Sequence, residues 1–253
     1  HCNKNSHKFK GKYMINQFST GGSREEINEL IKSILYGKRA DGAIILNMKP
    51  SRKVLLECKS KKFPVVLVDE KETSSYVVKT DNFKGAYIAT EYLIKKGKKN
   101  ICIVYGRENT LGVKEKLNGF FAAMNQHKRK INKSNYFEVE NYTFEHGINI
   151  LDKIIKSKKK FDAIFCAAGD IVAMGIIKSA KMKKIKIPKE LAIIGYDDIF
   201  PASLSEPPLT TVKQPAKELG MEALNIIVQA LEEGDKKEKI VVFEPSLIIR
   251  ESA

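Results

Sequence analysis

Short apolar runs alternate with longer stretches of helical periodicity along almost the whole chain, and this rhythm constrains the fold more than any other feature. Residues 13–18, 42–46, 64–68, 101–105, 163–166, 191–195, 240–243 and 247–249 read as strands, with a further short one starting at Val77. Between them, residues 23–36, 54–58, 82–96, 113–126, 143–156, 170–180 and 215–232 read as helices. In the first helix Ile27, Leu30, Ile31, Ile34 and Leu35 share one face. Ser23 is placed to cap its start, with Glu26 three residues on, and Gly37 to end it. Thr143 stands as a further N-cap, and Asp170 is expected to cap the helix it opens by accepting that helix's N–H groups. Strands alternating with helices predict an α/β fold, with parallel sheets covered by helices on both faces. In such sheets ligands sit beyond the carboxyl ends of the strands. The polar residues there therefore matter most: Ser19-Thr20, Asp69, residues 106–110, Gly169-Asp170 and Asp197-Asp198.

The 253 residues carry 45 Lys and Arg against 30 Asp and Glu, a formal net charge of +15. Such an excess invites a nucleic-acid partner, but its placement argues against the simple version. The lysines cluster at 95–99, 156–160, 181–186 and 236–237, each cluster following a helical pattern and preceding a strand. Cations at helix C-termini complement the macrodipole and stay solvated. There is no aromatic-interleaved basic face and no Arg-rich helix. A solvated Lys-rich surface and a phosphate-binding face both remain open.

Other classes find little support. No apolar run approaches the ~18–20 residues of a membrane span, and the first ten residues hold no apolar stretch of a secretory signal. Cys2, Cys58, Cys102 and Cys166 form no CxxC pair and read as free thiols of a reducing, cytoplasmic compartment. The four histidines lack ligand spacing, so neither a metal nor a cofactor is expected. No phosphate-cradling glycine loop follows a strand and no serine stands in a GxSxG elbow. Asp197-Asp198 has no partner assignable from spacing, so enzymatic activity has no positive support.

The run Ile194-Gly195-Tyr196-Asp197-Asp198, then Ala202, then Pro207 through Pro215 (PPLTTVKQP), then Gly220, closely resembles the lactose-repressor/galactose-repressor family of bacterial transcription regulators. So do residues 248–252 (IIRES), Asp81-Asn82 with Gly85-Ala86, Glu91, Leu93 and Gly97, and the Asp41-Gly42 and 64–69 segments. The resemblance spans about residues 11–253. It implies a type I periplasmic-binding-protein-like domain of two Rossmann-like lobes with an effector between them. Residues 1–81 and 214–243 would form one lobe, and residues 82–213 and 244–253 the other. It further implies a homodimer whose ligand shifts operator affinity allosterically, with DNA contacted through an N-terminal helix-turn-helix domain outside these residues. The family's first strand and helix would precede Gly11. A solute-binding protein of a sugar transporter shares the fold and is the alternative; a signal peptide would favour it.

The same resemblance points to site residues. Asp197 matches an acidic residue that accepts hydrogen bonds from ligand hydroxyls or a ring N–H, while Asp198 is expected to order its loop. Asp69 resembles the first lobe's polar contact, or else is a turn residue before Lys71-Glu72. Tyr142 stands where an aromatic often stacks on the ligand, or is a packed surface ring. Lys116 replaces an Arg that grips hydroxyls with two parallel bonds, a fork that lysine lacks. Gly169 replaces an Asn. Lys114 with Lys116 would suit an anionic sugar derivative. Thr20, in the loop after residues 13–18, and Asp170 complete the candidates, Asp170 chiefly as a cap.

Overall fold

The computed structural model describes residues 13–19, 23–46, 48–70, 76–107, 110–157, 159–234 and 239–253. They form two compact α/β units: His1–Thr80 with Pro215–Phe243, and Asp81–Gln214 with Glu244–Ala253.

In unit one, α1 (Arg24–Tyr36), β1 (Ala43–Leu46), α2 (Arg52–Ser60), β2 (Val65–Val68) and β3 (Tyr76–Thr80) follow in order, and α7 (Ala216–Glu233) and β9 (Ile240–Phe243) return later in the chain. The four strands are parallel in the order β1-β2-β3-β9. Side chains alternate across this sheet because a strand's period is two. Val65 and Leu67 face the α1/α2 cluster, and Val66 and Val68 face α7. Residues 13–18 do not form the expected strand. They hold no regular structure, with Met14 85% exposed and Ile15 61%, and no strand among the described residues supplies them a ladder.

Unit two holds α3 (Asn82–Lys95), β4 (Ile101–Tyr105), α4 (Leu111–Gln126), β5 (Tyr136–Glu138), α5 (Phe144–Lys156), β6 (Ala163–Cys166), α6 (Asp170–Met182), β7 (Ala192–Asp197), β8 (Thr210–Lys213) and β10 (Ser246–Ile248). Their order is β10-β8-β7-β6-β4-β5, parallel except for β10 against β8. Ile101, Ile103, Phe165 and Ile194 pack under α3 and α4, while Cys102, Val104, Ile164 and Ile193 pack under α5 and α6. Each such fully buried aliphatic side chain contributes about 1.5–3 kcal/mol of transfer free energy. The α5/α6 contact brings backbones together: a Cβ on Gly147 would overlap the Val172 carbonyl, and one on Gly175 the Phe144 carbonyl. Ser252 stitches residues from the far end of the sequence into this sheet. Its hydroxyl accepts from Thr210 N–H at 2.8 Å and donates to the Ile193 carbonyl at 2.6 Å, fully buried.

Helix starts follow the sequence: Ser23 accepts from Glu26 N–H and Thr143 from His146 N–H. Gly37 caps the end of α1 as expected, but the left-handed position falls one residue later. Gly37 has φ −76°, and the left-handed residue closing α1 is Lys38 at φ 50°. Lys62, Lys128 and Lys184 take the same position after α2, α4 and α6, while α3 and α7 are closed by glycines, Gly97 at φ 81° and Gly234 at φ 84°. The turns after α2, α3, α4 and α6 share one hydrogen-bond pattern, as in Lys184 N–H to Lys181 O and Ile185 N–H to Ala180 O, at 3.1 and 2.9 Å, and the turn after α1 keeps the second of the two bonds, Arg39 N–H to Ile34 O.

Candidate functional site

The carboxyl edge of the unit-two sheet gathers most of the expected polar residues. β7 ends on Asp197, whose backbone sits at φ 112°, a region that side chains other than glycine rarely adopt. One carboxylate oxygen accepts from Gln214 Nε2 at 2.6 Å. The other faces the bare Cα of Gly169, where an added Cβ would stand 2.9 Å from it. Gly169 itself has φ 105°, so the tight passage from β6 into α6 requires glycine there. Burial lifts the Asp197 carboxyl above its ordinary pKa, against the opposing pull of the Lys116 charge and the Gln214 hydrogen bond.

Lys116 folds down rather than reaching out. Its Nζ lies 3.9 Å from the Tyr196 ring centroid and donates to the Ala167 carbonyl at 3.3 Å. The ammonium thus takes a cation–π platform and a backbone acceptor, and it stays close enough to Asp197 to favour its charged form. Tyr196 is wholly buried, and its hydroxyl donates to Asn82 Oδ1 at 2.9 Å. Two residues away on α4, Lys114 is exposed, as positions two apart on a helix do not share a face. The expected Lys114/Lys116 pair does not close into one anion clamp.

Asp170 does not cap α6. The N-cap is Gly169, with no side-chain hydrogen bond, because the Asp170 carboxylate turns the other way. It accepts from Thr211 Oγ1 at 2.6 Å and from Ile199 N–H at 3.0 Å, with 1% of the residue exposed. A Cβ at Gly195 would overlap this carboxylate, so glycine there makes its room. Burial pushes the Asp170 pKa up to about 7. Next to Asp197, Asp198 (φ 56°) receives the Arg250 guanidinium at 2.6 Å, and Arg250 also donates to the Leu209 carbonyl at 2.7 Å. This pair ties residues 248–252 to the loop after β7.

Tyr142 also stands at the carboxyl edge. It is half exposed, and its ring lies against Gly106, just past β4. Asp69 belongs to unit one. It follows β2 directly at φ 57°, and its carboxylate accepts from Thr80 N–H at 2.9 Å, bridging the ends of β2 and β3. Thr20 lies outside the described residues. Sequence reasoning missed Gln214, Tyr196 and Asn82 as supports of Asp197 and Lys116. The signal for Tyr196 was its register with Ala192 and Ile194 on the α3/α4 face of β7. Cys58, Cys102 and Cys166 are free and buried, and no group of three or more metal-ligating side chains occurs among the described residues. No described helix is long and apolar enough to cross a membrane.

Parallel sheets in two units, with a constellation of acceptors at strand ends, define a periplasmic-binding-protein-like protein. The family model of that description, the periplasmic binding protein-like domain, matches residues 90–253. Among curated proteins, the HTH-type transcriptional repressor PurR of Histophilus somni is 30% identical over 247 residues, covering 95% of this chain and 72% of that repressor. Among solved structures, a regulatory protein of the LacI family from Chloroflexus aggregans superposes with a TM-score of 0.81 at 27% identity, over 95% of this chain and 86% of that one. A LacI-family regulator from Enterococcus faecium with bound ribose gives a TM-score of 0.79 at 25% identity, over 91% and 84%. The chain belongs to the lactose-repressor (LacI) family of transcription regulators. Its relatives are repressors and not enzymes, and they support the regulator over the transporter alternative.

Proposed function

We propose that the chain binds a small, carbohydrate-like effector at the carboxyl edge of unit two and that binding changes the affinity of the whole regulator for operator DNA. Asp197 carries this reading. A non-glycine residue held at φ 112° stores strain of order 1–3 kcal/mol, and such strain collects at ligand sites. The strained carboxylate keeps one oxygen fixed by Gln214 and turns the other toward the side-chain-free Gly169, so it is an acceptor set for a ligand O–H or N–H. Tyr142 offers a ring face for a sugar's C–H groups. Lys116 acts chiefly as the charge that opposes the effect of burial on Asp197 and favours its ionised form. The ribose bound to the Enterococcus faecium relative supports a sugar-class ligand. The regulator works as a cytoplasmic homodimer and reaches DNA through a helix-turn-helix domain.

A thermal-shift screen of sugars, sugar phosphates and nucleosides identifies the effector, and calorimetry on the hit then tests the site. Asp197→Ala removes a charge-assisted hydrogen bond of about 1.5–3 kcal/mol, a loss of roughly 10–100-fold in affinity. A hit that binds Asp197→Ala as tightly as the wild type sinks the assignment.

A further inference from the structure

Four basic segments, distant in sequence, meet on one edge of unit two. α3 leads into β4, α4 into β5, α5 into β6 and α6 into β7, and these strands are parallel neighbours in the order β7-β6-β4-β5. Every helix-to-strand connection therefore lies at the amino ends of the strands, opposite Asp197. Residues 95–99, 128–130, 156–162 and 181–190 make up these connections. Leaving out Lys158, they place fifteen Lys and Arg there against two carboxylates, Asp162 and Glu190.

Both carboxylates are already engaged by backbone. Asp162 accepts from Lys99 and Asn100 N–H at 2.8 and 2.9 Å, and Glu190 from Lys186 N–H at 2.7 Å. Lys95, Lys181 and Lys183 pair with Glu91, Glu206 and Asp152. Lys99, Lys130, Lys160, Lys186 and Lys189 are exposed, with no side-chain partner among the described residues. Arg129 Nε is buried without a hydrogen-bond partner.

Helix dipoles do not account for this excess. Four C-termini present about half a charge each, about two charges against fifteen. With neighbouring strands ~4.8 Å apart, four strands alone spread the lysines over about 15 Å. Duplex DNA offers one phosphate charge per ~1.7 Å of axis, a density that suits such a stripe. Lysines are point charges that neutralise phosphates without reading bases. The aromatic residue of the four segments, Phe161, packs edge-on against Phe137 at the α5/α6 core, which leaves no ring to stack on single strands. We propose that this amino edge is a sequence-independent binding face for the phosphate backbone of duplex DNA, separate from operator reading and from the effector site.

The test is an anisotropy titration of the 253-residue chain on a labelled random-sequence duplex of about 25 base pairs, from about 50 to 200 mM KCl. One variant carries Lys130→Glu, Lys160→Glu, Lys186→Glu and Lys189→Glu. A control with the same change in net charge carries Arg24→Glu, Lys53→Glu, Lys61→Glu and Lys217→Glu in unit one. The edge variant is expected to lose at least about tenfold in affinity and up to about 3.6 from the salt slope, at about 0.9 for each phosphate no longer neutralised, while the control stays within about threefold. Lys→Gln at the same four edge positions should lose less than Lys→Glu but more than the control, which covers an edge variant that fails to fold by circular dichroism. Equal losses in the edge and unit-one variants, or no wild-type binding at about 50 mM salt, overturn the proposal. So does edge-dependent binding to vesicles of about one-third phosphatidylglycerol without duplex binding. No effector is needed, so failure here leaves the Asp197 reading standing, and the reverse holds too.

Discussion

The two edges of the unit-two sheet are products of one repeat, yet they are built on opposite rules. At the carboxyl edge, strands run into helices through turns that hold carboxylates: Asp170 folded inward, Asp197 strained, Asp198 tied to Arg250. At the amino edge, helices run into strands through reversals whose only demand is a left-handed residue, and lysine fills that place at Lys128 and Lys184. Backbone strain occurs at both. At Asp197 it holds a carboxylate between Gln214 and the bare Cα of Gly169; at Lys184 it merely closes a helix. A positive φ alone therefore does not mark a site. Asp197 differs in that its strained side chain is also held by specific partners.

That contrast can be broken from either side. The largest effect is expected from Gly195→Ala, which drives a Cβ into the Asp170 carboxylate beneath the carboxyl edge. Urea denaturation should show a loss of about 3 kcal/mol, the upper part of the overpacking range. Arg250→Ala leaves Asp198 largely buried without its cation and should cost about 2 kcal/mol by the same measurement, with Arg250→Lys recovering only part because the fork is gone.

Asp170→Asn sharpens the contrast through pH. The folded pKa of Asp170 is about 7 against an ordinary 3.8, so the folded protein holds that proton more tightly than the unfolded chain. Its contribution to stability is full below about pH 4 and is lost as pH rises towards about 7. Wild type should lose stability across that window relative to Asp170→Asn, and parallel profiles would refute the buried acid. The smallest effect belongs to the amino edge. Lys184→Gly relieves a left-handed residue and should raise stability by about 0.5–1 kcal/mol, with effector binding unchanged in calorimetry.

Much of this was legible in the sequence because burial writes itself into periodicity. β4, β6 and β7 read out because both faces of each strand are covered, so β4 and β6 are apolar throughout and β7 carries no charge before Asp197. β5 has only three residues, and Thr210–Lys213 in β8 carries a single apolar side chain, so neither produces a run. Residues 13–18 have a strand's composition but no ladder partner among the described residues, and composition cannot report a neighbour. Asp197 was legible from the family motif. Its dependence on Gln214 was not, because the two meet only when β7 and β8 pair. The lysine clusters show the same limit most clearly: each looks like a solvated helix end, and only the strand order shows that four of them share a face.

The stitch made by Ser252 bears on the order in which the protein can be made. Ile193 and Thr210 emerge from the ribosome well before the serine that joins them, with all of α7 and β9, which belong to unit one, translated in between. At about 5–20 residues per second, that interval is on the order of seconds. Throughout it, unit two waits with an unpaired flank on β8. Its completion is thus timed by the synthesis of the other unit, and the nascent chain passes through a stage at which unit one holds all its segments and unit two does not.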